Sequence, residues 1–320
     1  MNIKVSKINT RKLGEATTGI VVSIVRWIFL LSISYILLYP LIYMISQGFR
    51  ATADFTDPTV IWVPKSFSLI SFKNAWKALE YPKSLLNTVV IEIVSALLEV
   101  VMCSITAYGL ARFKFKERGI LTFILIVTIL VPTQLIMIPL MTSMRYLDVF
   151  GLLGLFGELI GTDIRPNLLN TPFAFYLPSV LAVGLKAGLF TYMYVQFFKS
   201  LPKELEEASA IDGAGPLKTF VRVVVPSSGN IFLTVTIFSI IWHWNDIFLA
   251  KMFLSKDFPL SVALSRIVTT LQSMGYNAYG KPIVGAIMAG CLLVILPVLV
   301  MYCVLQKKFI KSIDSVGIVG

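Results

Sequence analysis

Charge is scarce in this sequence: Asp, Glu, Lys and Arg make up 14% of its 320 residues, against about a quarter in an ordinary soluble domain. With 57% hydrophobic residues, the chain has too little polar surface to be dissolved in water, and its bulk solvent is lipid. Histidine is scarcer still. His243 stands alone, and no Cys, His or carboxylate cluster has metal-ligand spacing. A Ser/His/Asp hydrolase would have to use His243, which lies between Trp242 and Trp244 near a membrane boundary and reads as an aromatic-belt position. Cys103, Cys291 and Cys303 all fall in apolar runs, where a lone thiol behaves as a small hydrophobe and not as half of a disulfide. No Gly-rich loop ends in Gly-Lys-Ser or Gly-Lys-Thr, so the chain lacks the phosphate cradle of an ATPase. Tandem repeats and low-complexity linkers are missing too, which points to one membrane domain.

What the sequence does contain is long apolar runs. A spanning helix needs about 20 apolar residues, each adding about 1.5 Å across about 30 Å of hydrocarbon. Residues 20–45, 85–110, 119–142, 172–198, 231–250 and 283–305 meet that length. The expected fold is all-α and integral to the membrane: six transmembrane helices in a domain over 20–305, an N-terminal segment 1–19 and a tail 306–320. The first run is too long for a signal peptide and has no small-residue cleavage site, so it is expected to stay as an anchor. An even number of spans places both termini on one side. Short loops on that side carry Lys4, Lys7, Arg11 and Lys12; Arg112, Lys114, Lys116 and Arg118; Lys199, Lys203, Lys218 and Arg222; and Lys307, Lys308 and Lys311. This asymmetry makes both termini cytoplasmic. The opposite lysines, Lys65, Lys73, Lys77 and Lys83, are diluted by Asp54, Asp57 and Glu80. The net charge of +11 thus sorts by loop, and no single basic face interleaved with aromatics marks a nucleic-acid site.

Residues 112–118 form so short a link that the second and third spans must be antiparallel neighbours. Pro132 and Pro139 predict a kink in the third span, and a bend that fits neighbouring helices is favoured over a gating hinge. Gly184 and Gly188 in the fourth span permit close helix approach. Glu92 and Glu99, seven apart and so on one helical face, join Lys186 as ionisable groups within apolar runs, where such groups are costly. Glu92 and Glu99 are expected to line a polar path, or to pair with Lys186 or with a partner subunit.

The most informative segment is polar and lies between the fourth and fifth runs. Ser200 is placed to cap a helix whose first turns hold Glu204, Glu206 and Glu207, acids suited to the positive helix end. Leu205, Ala208 and Ile211 form a narrow apolar stripe. Gly213 then supplies a stop with positive φ, and Gly215-Pro216 starts a second helix toward Phe220, Val223 and Pro226. A membrane-surface helix puts Lys and Arg on its polar face and bulky residues opposite; this one offers Glu and Ala, which suits docking into a protein groove.

The segments Glu207-Ala208-Ser209, Asp212-Gly213, Phe220 and Val223-Val224-Val225-Pro226 resemble the coupling-loop motif of permease subunits of binding-protein-dependent ABC importers. Further matches are the lead-in Phe197 to Glu204, Asn87-Thr88, Ala107 to Arg112, Pro132, Ile138-Pro139 and Trp244-Asn245-Asp246. Together they are similar to the carbohydrate branch, the maltose-type inner permease. Ser209 replaces a usual Ala, Pro216 and Asn230 depart from the pattern, and Ser312 and Val319 stand in the tail where Gly and Lys are usual.

The resemblance implies a type I ABC importer permease in a bacterial inner membrane, paired with a homologous second permease, two ATPase subunits and an extracellular solute-binding protein. The chain itself would be no enzyme and hold no cofactor, ATP and Mg being bound by the partners. It would carry a sugar or oligosaccharide; another solute, such as glycerol phosphate or an amino acid, stays open, as does a stand-alone secondary transporter, which would show inverted repeats and paired broken helices. Within the coupling loop 199–226, the resemblance gives the coupling role to Glu204, Glu207, Ala208, Ala210, Asp212, Gly213, Gly215 and Phe220. It assigns none to Glu92, Glu99 or Lys186.

Overall fold

The computed structural model describes residues 10–148, 150–276 and 283–317, with side chains from 19 to 308 within those ranges. Lys4, Lys7, Pro282 and Val319 lie outside the described residues, as do the side chains of Arg11, Lys12, Lys311 and Ser312. Among the described residues the chain is helical, and the one strand-like contact is an isolated bridge between Arg50 and Phe67.

Helix α1, Thr10–Gly48, lies at the edge and packs against the C-terminal helix. After α2 (Ile70–Ala78) comes α3, a continuous helix Tyr81–Arg112 of 32 residues. Residues Thr88–Ile93 of α3 widen into a π-helical turn, which re-aims the side chains that follow it. Thr88 closes the turn by donating to the Ser84 carbonyl and accepting from the Leu260 amide at 2.9 Å.

The third expected span is two helices, α4 (Arg118–Leu130) and α5 (Thr133–Arg145), bent by 105°. Pro132 is the cause: it forces Val131 out of the helical region, to φ −72° and ψ 118°. Pro139, expected to kink the chain as well, sits inside α5 without interrupting it.

Beyond α6 (Leu152–Ile160), the fourth expected span, 172–198, is likewise not one helix. It divides into α7 (Phe173–Val180) and α8 (Ala187–Ser200). Ala182 and Lys186 take left-handed φ of 55° and 66° between them. Turn bonds from Leu181, Ala182, Val183 and Ala187 back to Leu177, Ser179, Pro178 and Gly184 satisfy the interrupted backbone, the condition for irregular chain inside a membrane protein.

Then follow α9 (Glu204–Ile211) and α10 (Pro216–Ser227), which meets α11 (Gly229–Trp244) at 84°. The fifth run breaks after Trp244 because the Asp246 carboxylate accepts the Leu249 and Ala250 amides, starting α12 (Phe248–Phe253) afresh. The short α13 (Leu260–Ser265) and α14 (Ile267–Ser273) precede the long α15, Ile283–Gly317. Among the described residues, three continuous helices are long and apolar enough to cross a membrane, or up to five spans if each bent pair is counted as one.

The core is the packing of α3 on α8 and of α11 on both α3 and α15. Around Tyr108, Phe190, Tyr194, Phe198 and Phe220 an aromatic cluster fills the end of the core nearest α9, while Leu79, Trp244, Leu260, Leu271, Ala286 and Ala289 fill another centre. Gly188 supplies the close approach its spacing predicts, since a Cβ there would lie 2.5 Å from Thr128 Oγ1 on α4. At the far end from α9, exposed loop carboxylates are tied locally. Arg165 hydrogen-bonds the Asp163 carboxyl and holds it down to about 2, and Lys65, bonded at 2.5 Å, holds Asp57 below the usual carboxylate range.

Candidate functional site

The polar segment forms a protruding helix with a firm base. Ser200 does not cap it, because its hydroxyl bonds back to the Phe197 carbonyl and ends α8; the cap position is Lys203, which gives no side-chain bond. The stop at Gly213 has φ +73°. There the Gly213 amide reaches the Ala210 carbonyl and the Ala214 amide the Ser209 carbonyl, both at 3.0 Å, the Schellman closure that a left-handed glycine permits. Gly215 is extended (φ −71°, ψ 166°), and Pro216 opens α10 at its first helical position.

The orientation of α9 reverses the usual inside-out sorting. Glu206 and Ser209 face the body of the protein. The Glu206 carboxylate pairs with Arg112 Nε at 2.7 Å, and Arg112 also donates to the Leu201 carbonyl at 2.9 Å. Ser209 shares a 3.0 Å hydrogen bond with Thr219, so this departure from the usual Ala ties α9 to α10. Meanwhile Leu205 is 42% exposed, Ile211 87% and Leu217 70%, and Glu204, Glu207, Ala208, Ala210 and Asp212 also lie at the surface. A helix that turns Glu206 and Ser209 inward and leaves Leu205 and Ile211 outward beside Glu204 and Glu207 presents a mixed surface to another molecule.

Phe220 anchors the segment. It is buried, with ring centroids 5.0 Å from Tyr108 and 6.3 Å from Phe198. It stands in a second π-helical turn, Phe220–Val224, so motion of α9 and α10 bears directly on α3 and α8. Arg112 and Glu206 were not named for coupling from the sequence. The only signal was an acid in the first turn of α9 and a base at the end of α3, with nothing to say that the two meet.

The ionisable residues of the apolar runs part company. Glu92 and Glu99 are wholly buried, whereas Lys186 is exposed and forms no ion pair with either among the described residues. Their partner is His243, which the aromatic-belt reading placed at a membrane boundary. It is 4% exposed, with Nε2 2.9 Å from Glu99 Oε2 and Nδ1 3.4 Å from Glu92 Oε2. The aromatic flanks misled because Trp244 is itself buried, donating to the Val294 carbonyl at 3.2 Å. Asp246, matched as part of the Trp-Asn-Asp motif, caps α12.

Among the described residues the chain is all helical, with apolar helices long enough to cross a membrane and the short, largely exposed helix α9 between them, an arrangement that suits a transport permease. The chain is a member of the family described as the binding-protein-dependent transport system inner membrane component, which matches residues 100–314. It is 31% identical to the melibiose/raffinose/stachyose import permease MelC of Bacillus subtilis, over 88% of this chain and 91% of that one. It is 27% identical to the diacetylchitobiose uptake permease NgcG of Streptomyces coelicolor, over 88% and 84% of the two chains. The fold matches a chain of a bacterial ABC transporter involved in the import of the acidic polysaccharide alginate, with TM-score 0.71, 21% identity and coverage of 91% and 98%. The chain is thus a permease component of a transport system and not an enzyme.

Proposed function

We propose that this chain forms half of the translocation path of an ATP-driven importer for a sugar or oligosaccharide, and that α9 is where the ATPase stroke enters. An extracellular binding protein delivers the solute, a homologous second permease completes the path, and two ATPase subunits bind ATP and Mg on the cytoplasmic side. Both termini lie on that side, in keeping with the basic loops around Arg112 and Lys199. The similarity to sugar-import permeases over most of the chain supports the solute class.

The observation that carries the coupling role is the outward apolar stripe of α9 on a base fixed by Arg112 and Phe220. Leu205, Ile211 and Leu217 enter a groove on the ATPase. Ala208 and Ala210 permit close approach, and Glu204, Glu207 and Asp212 supply polar contacts at its rim. A stroke shifts the permease only if the ATPase grips α9 differently in its two states; the rigid base then passes that difference inward.

Gly213→Asp tests this reading. The subunit should insert and keep its partners, ATP should still be hydrolysed, and solute uptake by cells should fall at least tenfold, about 1.4 kcal/mol of lost coupling. Uptake at the wild-type rate would reject the lever.

A further inference from the structure

Helix α11 continues the coupling segment: α10 turns into it through 84°, with Ser228 at the corner. The near part of α11 is held by apolar packing, with Ile231 and Val235 buried in one cluster with Val100, Cys103 and Ala107 of α3. Farther along, the hold on α3 is polar. His243 contacts Glu99 at 2.9 Å and Glu92 at 3.4 Å. One turn earlier, Ser239 Oγ lies 3.2 Å from the Ala96 carbonyl and 3.4 Å from Glu99 Oε2. The break in the fourth span leans on the same place, since a Cβ on Gly184 would lie 2.7 Å from Glu99 Oε1.

The cluster is not a plain stabilising network. Glu92 and Glu99 are 0% exposed, and the Oε1 of each has no hydrogen-bond partner. An imidazole donates through both nitrogens only as the cation; a neutral ring donates to one carboxyl and must accept from a protonated second. Either way the contact is polar and directional, joining named atoms of α3 and α11 where the surrounding packing is apolar.

We propose that Glu92, His243 and Glu99 form a positioning clasp that joins the far parts of α3 and α11, so that movement entering through α9 and the aromatic core is carried on to the far end of the pair only while the clasp is closed. The proposal rests on the transport reading above. With the clasp open, the apolar packing near α9 still joins the two helices, but their far parts can move apart, and the ATPase cycle runs without moving that part of the path.

The test uses the complete importer, with its second permease and both ATPases, reconstituted in liposomes. ATP hydrolysis is measured with no binding protein present, for wild type and for His243→Gln, Glu99→Gln and Glu92→Gln, which keep side-chain size. All three variants should co-purify with their partners. Hydrolysis should rise roughly fivefold or more in His243→Gln and Glu99→Gln, and less in Glu92→Gln, whose contact is the longer one at 3.4 Å. Intact variant complexes with wild-type hydrolysis overturn the clasp. So does failure of all three to assemble, which would make the cluster a folding element alone. A wild-type complex that hydrolyses no ATP even when binding protein and sugar are added would instead overturn the transport reading, leaving no stroke for a clasp to transmit.

Discussion

At the scale of single residues, Gly184 and Gly109 make a controlled comparison. A Cβ at Gly184 would lie 2.7 Å from Glu99 Oε1 and 3.2 Å from Ser179 Oγ, whereas at Gly109 it would meet nothing within 4 Å. Gly184→Ala should therefore destabilise by about 1–3 kcal/mol through overpacking, and Gly109→Ala should be neutral or slightly stabilising through helix propensity. Thermal unfolding of the purified complex distinguishes them, and equal melting temperatures would refute the crowding at Glu99. Glu92 and Glu99 were legible as a pair because a spacing of seven puts two side chains on one face of a helix. His243 was not. It lies 151 and 144 positions away from them, periodicity carries no information over that distance, and its Trp neighbours imitate an interfacial belt. Lys186 was expected among possible partners for the carboxylates, yet its left-handed backbone in the chain break leaves it exposed.

At the scale of elements, the hold of α9 on the protein combines the Ser209–Thr219 hydrogen bond and the Phe220 anchor with one ion pair. The Arg112 and Glu206 side chains are 7% and 20% exposed. Leaving Arg112 without its partner removes a contact on the order of 2 kcal/mol, below the full cost for a deeply buried pair because Glu206 is partly solvated. Glu206→Ala should thus make tryptic cleavage after Lys203 or Lys218 roughly tenfold faster or more, since proteolysis follows the population of the locally opened form. Unchanged cleavage would show that the Phe220 anchor and the Ser209–Thr219 hydrogen bond hold the segment without it. The helix, stop and second helix of this element were readable from Glu204, Gly213 and Pro216, because each acts locally on the backbone. The break between α7 and α8 was not. Gly184 and Lys186 were the local signals there, but neither by itself stops an apolar helix, and the break shows only in the left-handed backbone of Ala182 and Lys186 and the turn bonds that satisfy its amides. Pro132 and Pro139 show the same limit: both remove a donor, yet only Pro132 coincides with a 105° turn.

At the scale of the whole molecule, apolar run length made the membrane class legible, while the division of the runs depended on packing that no single run records. Sidedness can be tested directly. In a chain with its own cysteines replaced, a single cysteine at the exposed Lys114 should react with a membrane-impermeant maleimide only in inside-out vesicles, and one at Asp163 only in right-side-out cells. The reverse pattern would invert the proposed orientation. One further consequence concerns α1. Its part Gly19–Gly48 is 30 residues long, and none of its most apolar window is buried by the rest of the chain. At about 1.5 Å per residue it is about 45 Å long, roughly half as long again as the hydrocarbon layer of about 30 Å. So long a rod fits only by leaning steeply, by projecting beyond the hydrocarbon, by bending near Pro40 or by thickening the surrounding lipid. Bilayer thickness therefore bears on how the helix packed against α15 sits, and transport is expected to vary with acyl-chain length when the protein is moved between lipids.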